Sequence, residues 1–359
     1  MKPSAASRLN NFRPIRHFAA SAVIFSHAFV LTGGWDALKQ EPLVALCGIS
    51  VSELAVNIFF LTSGYLVTQS LLSRGAIVAY FISRALRIYP ALIVVVLLSA
   101  FVVGPIFSTI DIFEYLRTKS VYGYIAYDCT VLLPHKIRAQ LPGVFDGNPY
   151  PSIVNGSLWT LPWEIWSYIC LAVISVSGCL KKAPVALLYA FILLNYCMIS
   201  LKIIEFGEFV QIGVRFATYF GAGIIFLFYR RLIPLNIPVL ASVTAAYALS
   251  AVNFGPVVFL PLWLTYVTFF LALWPPAVMT EWSDGPDFSY GIYLYAYPVQ
   301  QILVQSGFPS SPYLNAMATF ILTLPLAYAS WHFIEAPALH LKSRVYLITT
   351  QKGLETHGP

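Results

Sequence analysis

Arg16-His17-Phe18-Ala19-Ala20-Ser21-Ala22-Val23-Ile24-Phe25-Ser26-His27 is a run of mostly apolar or small residues, with a cation at one end and an imidazole at the other. Coiled as an α-helix, eleven steps of about 100° total about 1100°, so Arg16 and His27 end about 20° apart on one face. The rise between them is about 16 Å, roughly half the hydrocarbon core of a bilayer. A helix entering a membrane here carries a fixed positive charge at its mouth and a titratable ring deep inside. An ionisable group within a span is costly and reads first as functional. Bonded to a neighbouring helix, the same ring serves packing instead. The stretch by itself leaves both readings open.

The rest of the chain says that a membrane is the right solvent. Of 359 residues, 58% are hydrophobic and 10% are charged, against about 25% charged in ordinary globular domains. Apolar runs near twenty residues recur, whereas the short alternating segments of a membrane barrel do not. The expected fold is an all-α polytopic bundle of about ten spans. These fall near 14–32, 52–73, 86–107, 157–178, 184–203, 211–229, 236–253, 256–274, 287–306 and 312–335. With the N-terminus inside, fourteen of the 21 Lys and Arg lie in cytoplasmic segments, six in outer ones, and Arg215 within a span. That bias puts both termini in the cytoplasm. The expected organisation is one membrane domain over 1–340 and a cytoplasmic tail over 341–359, in the plasma (inner) membrane. The first apolar run lacks a small-residue cleavage site and reads as a retained span.

The formal charge of +6 is spent on topology in short loops, so no nucleic-acid partner is expected. Five cysteines show no paired or metal-ligand spacing, and no metal is expected. Cys47 and Cys129 both fall on the expected outer side, where a bridge between them stays open. One long connection, 108–156, mixes charges with Tyr115, Tyr122, Tyr124 and Tyr127. Such loops are usually functional or disordered, and these aromatics favour an ordered, membrane-adjacent segment, with a lid as one use.

Further motifs carry chemistry. In Arg84-Ala85-Leu86-Arg87-Ile88-Tyr89-Pro90 two guanidiniums at i,i+3 can clamp phosphate or simply set topology against headgroups. In Asn155-Gly156-Ser157-Leu158-Trp159-Thr160-Leu161-Pro162-Trp163-Glu164 the carboxylate sits about 10 Å inside the expected span. Glu164 can orient an imidazole or grip a sugar hydroxyl beside Trp159 and Trp163. Asn57-Ile58-Phe59-Phe60-Leu61-Thr62-Ser63-Gly64-Tyr65-Leu66 reads as a close helix contact at Ser63-Gly64. A helix over Phe288–Pro298 puts Tyr290, Tyr293 and Tyr297 on one face, for core packing or for lining a pocket. Glu335, in Trp331-His332-Phe333-Ile334-Glu335-Ala336-Pro337, can pair with Arg84 or Arg87.

Taken in order from Arg16 to Pro337, this set resembles the acyltransferase type 3 family of membrane O-acyltransferases, in its stand-alone branch without a fused hydrolase-like domain. That branch is similar to enzymes that decorate exopolysaccharide or lipo-oligosaccharide. The resemblance implies a ten-span bundle that takes acyl groups, with acetyl expected, from cytoplasmic acyl-CoA to a carbohydrate hydroxyl at the outer face. It implies a catalytic His27, and CoA handling by Arg16, Arg84 and Arg87. The physical reading adds Glu164 beside the base and Trp159, Trp163 and Tyr293 as substrate-binding residues. Expected partners are a carbohydrate or lipid-linked glycan and the bilayer; oligomeric state is not legible. Two positions depart from the family pattern: Ala296, where many members carry His, and Asn57, where many carry Asp. The rival class is a glycolipid transporter or flippase, which the absence of matched internal repeats disfavours.

Overall fold

The computed structural model describes residues 10–74, 76–134, 137–273, 285–308 and 311–341. The N-terminal Lys2 and Arg8, the loop residue Lys136 and the expected tail beyond Leu341 lie outside the described residues. Eleven principal helices follow in order: α1 Phe12–Gly33, α2 Val51–Arg74, α3 Ile77–Leu98, α4 Lys119–Thr130, α5 Leu161–Val176, α6 Lys182–Ser200, α7 Glu208–Tyr229, α8 Ile237–Phe254, α9 Leu260–Leu273, α10 Ser289–Gln305 and α11 Pro312–Ser330. No β-strand forms among the described residues; two isolated bridges join Ser108 to Val144 and Gln140 to Ile153.

Among the described residues, eight segments are long and apolar enough to cross a bilayer. The shorter α9 and α10, of 14 and 17 residues, occupy the two remaining expected positions. The chain is a polytopic helical membrane protein. Most helices start within a few residues of their expected edge. The exception is α3, expected from about 86 and beginning at Ile77. Ile77, Val78, Ala79, Phe81 and Ile82 already supply an apolar helical surface, so Arg84 and Arg87 lie about two and about three turns from the start of the helix.

The chain divides into two compact units. The first holds residues up to Ser26, Leu38–Gln69 and Trp163–Asp287. Within it α2 and α7 approach through glycine. A Cβ built on Gly64 would stand 2.0 Å from the Phe220 carbonyl oxygen, and one on Gly223 would stand 2.2 Å from that of Leu61. Small residues let membrane helices gain close packing where no hydrophobic drive separates helix from lipid. The Phe60 and Phe216 rings stack at 4.1 Å just above this contact. Below it Phe12, Tyr65, Phe226 and Phe269 form a buried aromatic cluster, in which Phe226 and Phe269 stack at 4.0 Å. Helix α8 buries no side chain, as suits a lipid-facing element.

The second unit holds His27–Ala37, Ser70–Pro162 and the chain from Phe288 onward. Here Gly291 of α10 meets Ala327 of α11 at near-contact distance. The long connection is a folded platform. The Tyr115 hydroxyl donates to the Ala100 carbonyl at 2.8 Å, and that of Tyr122 to Leu116 at 2.7 Å. The Asp128 carboxylate is fully buried and accepts from the backbone N–H groups of Arg138 and Ala139 at 2.9 and 3.2 Å. Burial raises its pKa to about 6, although the two N–H bonds and the Arg138 charge pull the other way. All five cysteines are free thiols.

Candidate active site

Arg16 and His27 lie on one unbroken helix, α1. Its one proline, Pro14, lies in the first turn and its one glycine, Gly33, ends it, so nothing between Arg16 and His27 kinks the helix and the shared-face geometry expected from spacing is kept. The helix belongs to the first unit up to Ser26 and to the second from His27.

In the second unit the His27 ring meets the edge of Tyr297 on α10, with centroids 5.2 Å apart at 77°. Neither ring nitrogen of His27 has a hydrogen-bond partner among the described residues. Tyr297 in turn lies on Gly156, where an added Cβ would stand 2.7 Å from its ring. Gly156 belongs to the expected Asn-Gly-Ser-Leu-Trp motif, which forms a tight 3₁₀ turn, Gly156–Thr160. The Asn155 side chain caps this turn by accepting from Ser157 N–H, and its amide donates to the Leu294 carbonyl at 2.9 Å. The Tyr293 hydroxyl is held by the Ser157 carbonyl at 2.8 Å and by the Thr160 hydroxyl at 2.7 Å. Two motifs separated by more than 130 residues thus interlock, and the tyrosine face of α10 is what holds them. Trp159 keeps 37% of its surface exposed.

The same unit contains both arginines of α3. Arg87 makes an ion pair with Glu335 at 3.2 Å and faces the Tyr290 and Trp331 rings at 5.6 and 6.0 Å. A π-turn, Trp331–Glu335, continues α11 and presents both Trp331 and Glu335 at this point; such turns recur at functional sites. The remaining Glu335 oxygen accepts from Ser330 at 3.0 Å. The Arg84 Nε donates to the Ser83 hydroxyl at 3.3 Å.

In the first unit Glu164 accepts a short hydrogen bond from the Tyr168 hydroxyl and a long one, 3.5 Å, from Ser63. The Trp163 ring packs on Phe209 and Phe216 at 4.8 and 6.0 Å. Arg16 forms an ion pair with Asp287 at 3.0 Å. Arg215 pairs with Glu53 at 3.2 Å, not with Glu205 or Glu208. No group of three or more His, Cys, Asp or Glu able to hold a metal ion occurs among the described residues.

Three polar residues escape the sequence reading. Asp287 anchors Arg16; its place just before an aromatic helix was the available signal. Glu41 is wholly buried and accepts from the Ser26 hydroxyl and the Val51 N–H, each at 2.5 Å. It therefore ties the residue before His27 to the start of α2. Gln301 receives Asn148 at 2.7 Å and donates to the carbonyls of Tyr150 and Ile153, fastening the end of the long connection to α10. Neither Glu41 nor Gln301 follows a spacing rule, because their partners come from distant sequence.

This is a helical membrane protein in which the His27 imidazole lies against Tyr297, a ring packed in turn on the Gly156 turn. A family profile described as an acyltransferase domain matches residues 14–332; the chain belongs to the acyltransferase type 3 family and is an acyltransferase. It is 27% identical to an "O-acetyl transferase" of Shigella phage Sf6, over 91% of this chain and 95% of that one. It is 29% identical to "Nodulation protein 10" of Rhizobium leguminosarum bv. viciae, over 93% and 94%. No solved structure matches the chain.

Proposed function

We propose that this enzyme moves an acetyl group from cytoplasmic acyl-CoA to a hydroxyl of a surface or exported carbohydrate at the outer face of the plasma membrane, with His27 as general base. The observation that carries the reading is the His27 ring itself. It is fixed edge-on by Tyr297, yet its nitrogens are unbonded among the described residues. Such an imidazole is positioned but not committed, which is what a base awaiting a substrate proton requires. The likeness to an O-acetyl transferase supports acetyl as the group and a hydroxyl as its destination.

In the reaction the sugar oxygen attacks the thioester carbonyl carbon while His27 takes the hydroxyl proton. The tetrahedral intermediate collapses, the C–S bond breaks, and the imidazolium returns the proton to the CoA sulfur. The ester forms and free thiol leaves. Direct transfer needs no second nucleophile. Arg16, Arg84 and Arg87 supply cations for the CoA phosphates; a guanidinium with five N–H donors can serve a carboxylate and a phosphate together. Glu164 holds an acceptor hydroxyl beside Trp163, and Trp159 and Tyr293 line the sugar's approach. The Lys and Arg bias supports placing both termini in the cytoplasm.

The test is transfer from radiolabelled acetyl-CoA to a crude glycan acceptor by purified protein. His27→Ala is expected to insert and fold normally and to place no label in glycan. Full labelling by that variant would remove His27 as the base.

A further inference from the structure

Glu208, Gln211 and Arg215 share one face of α7, a helix that is otherwise largely apolar. With Tyr196 and Ser200 of α6 and with Val257 they line a cavity of about 270 Å³, near the low end for small-molecule sites. None of these side chains has a part in the acyl-transfer chemistry above.

The cavity carries unspent hydrogen-bonding capacity. Arg215 donates from Nη1 to Glu53; its Nε is sealed from the cavity, and its Nη2 makes no hydrogen bond among the described residues. The Gln211 amide nitrogen donates to the Phe206 carbonyl at 2.6 Å, which leaves its oxygen to accept. The Glu208 carboxylate has no partner among the described residues. Glu208 and Gln211 are exposed at the rim and stand free to accept from a ligand rich in hydroxyls.

Charge decides which ligand. Glu53 cancels Arg215, and Glu208 adds one negative charge at the mouth. An anionic ligand meets net repulsion there, while a neutral polyol meets a donor flanked by two acceptors. We propose that this cavity binds a neutral pyranose ring of the acceptor glycan, with Arg215 Nη2 donating to a ring hydroxyl and Glu208 and Gln211 accepting from others. The assignment to an acceptor rests on the carbohydrate reading above.

Two measurements on the full-length protein in detergent test it. Saturation-transfer NMR uses neutral methyl glycosides (a hexose, a 6-deoxyhexose and an N-acetylhexosamine) beside methyl glucuronide. At least one neutral glycoside gives a signal, the glucuronide gives none, and the double variant Glu208→Ala/Gln211→Ala weakens the signal at least threefold. In the transfer assay that variant raises the acceptor KM at least fivefold, with the KM for acyl-CoA unchanged. Both residues are exposed at the cavity mouth, so the variant folds; Arg215→Lys, which keeps the charge but has no second guanidinium nitrogen to donate, checks the donor separately and weakens the same signal. Silence from every neutral glycoside means that the cavity holds water only and overturns the proposal. A stronger glucuronide signal, or an unchanged acceptor KM, does the same. Wild-type protein that transfers no acyl group, yet shows a glycoside signal lost in the variant, sinks the transferase reading and leaves the sugar site standing.

Discussion

Arg87 and Glu335 are 248 positions apart in the chain, and their charged atoms lie 3.2 Å apart between α3 and the π-turn that continues α11. Both are largely out of solvent, with side-chain exposures of 15% and 3%. A pair in that setting stabilises little by itself, but losing one member strands the other charge.

Arg87→Ala is therefore expected to lower stability by about 3–5 kcal/mol, seen as a large drop in the thermal midpoint of the detergent-solubilised protein. The paired change Arg87→Met with Glu335→Leu restores most of the midpoint. If Arg87 also serves CoA, the restored protein keeps a raised KM for acyl-CoA; a wild-type KM would make the pair purely structural.

Gly64 admits no side chain, because the Phe220 carbonyl occupies the place of its Cβ. Gly64→Leu forces α2 and α7 apart and costs about 3 kcal/mol or more, the upper range for overpacking. The expected readout is a low thermal midpoint and loss of monodisperse protein on size exclusion. Unchanged behaviour would show that the two helices do not rely on this contact.

Tyr297 touches His27 and Gly156 with its ring. Tyr297→Phe keeps that ring and should transfer acyl groups at near wild-type rate. Tyr297→Leu loosens the imidazole and lowers transfer roughly tenfold to a hundredfold, with acyl-CoA binding retained. Equal rates in the two variants would mean that the aromatic edge does not position His27.

Asp128 gives a pH signature outside the spans. Its pKa is raised from 3.8 to about 6 by burial. Below pH 3.8 the carboxyl is protonated folded or unfolded, and its titration costs nothing. As pH rises from 3.8 to 6 the unfolded chain ionises first, so the folded state loses ground. Above 6 the full cost stands, on the order of 3 kcal/mol. Asp128→Asn removes this titration. The midpoint of the variant minus that of the wild type should therefore be more positive at pH 7.5 than at pH 4.5; a difference that ignores pH rules the mechanism out.

Much of the candidate site was legible because membrane helices are local objects. Arg16 and His27 needed only helical spacing, and Ser63-Gly64 only the rule that small residues sit at helix contacts. Arg84 and Arg87 were found as a pair, but their helix begins at Ile77 rather than near 86, since hydropathy blurs where a helix outside the strongest apolar window begins. Tyr293 was marked for a pocket; its hydroxyl bonds to Ser157 and Thr160 are long-range and leave no trace in periodicity. Glu41 and Gln301 were missed for the same reason.

The sequence by itself determined the class of solvent, the helical periods and the shared face of Arg16 and His27, because hydropathy and 3.6-residue spacing act over neighbouring residues. Only the tertiary structure decided that Asp287 answers Arg16, that Glu335 answers Arg87, and that Glu53 rather than Glu205 or Glu208 answers Arg215. Ion-pair energy falls with distance in space, and distance along the chain says nothing of it until the helices have packed.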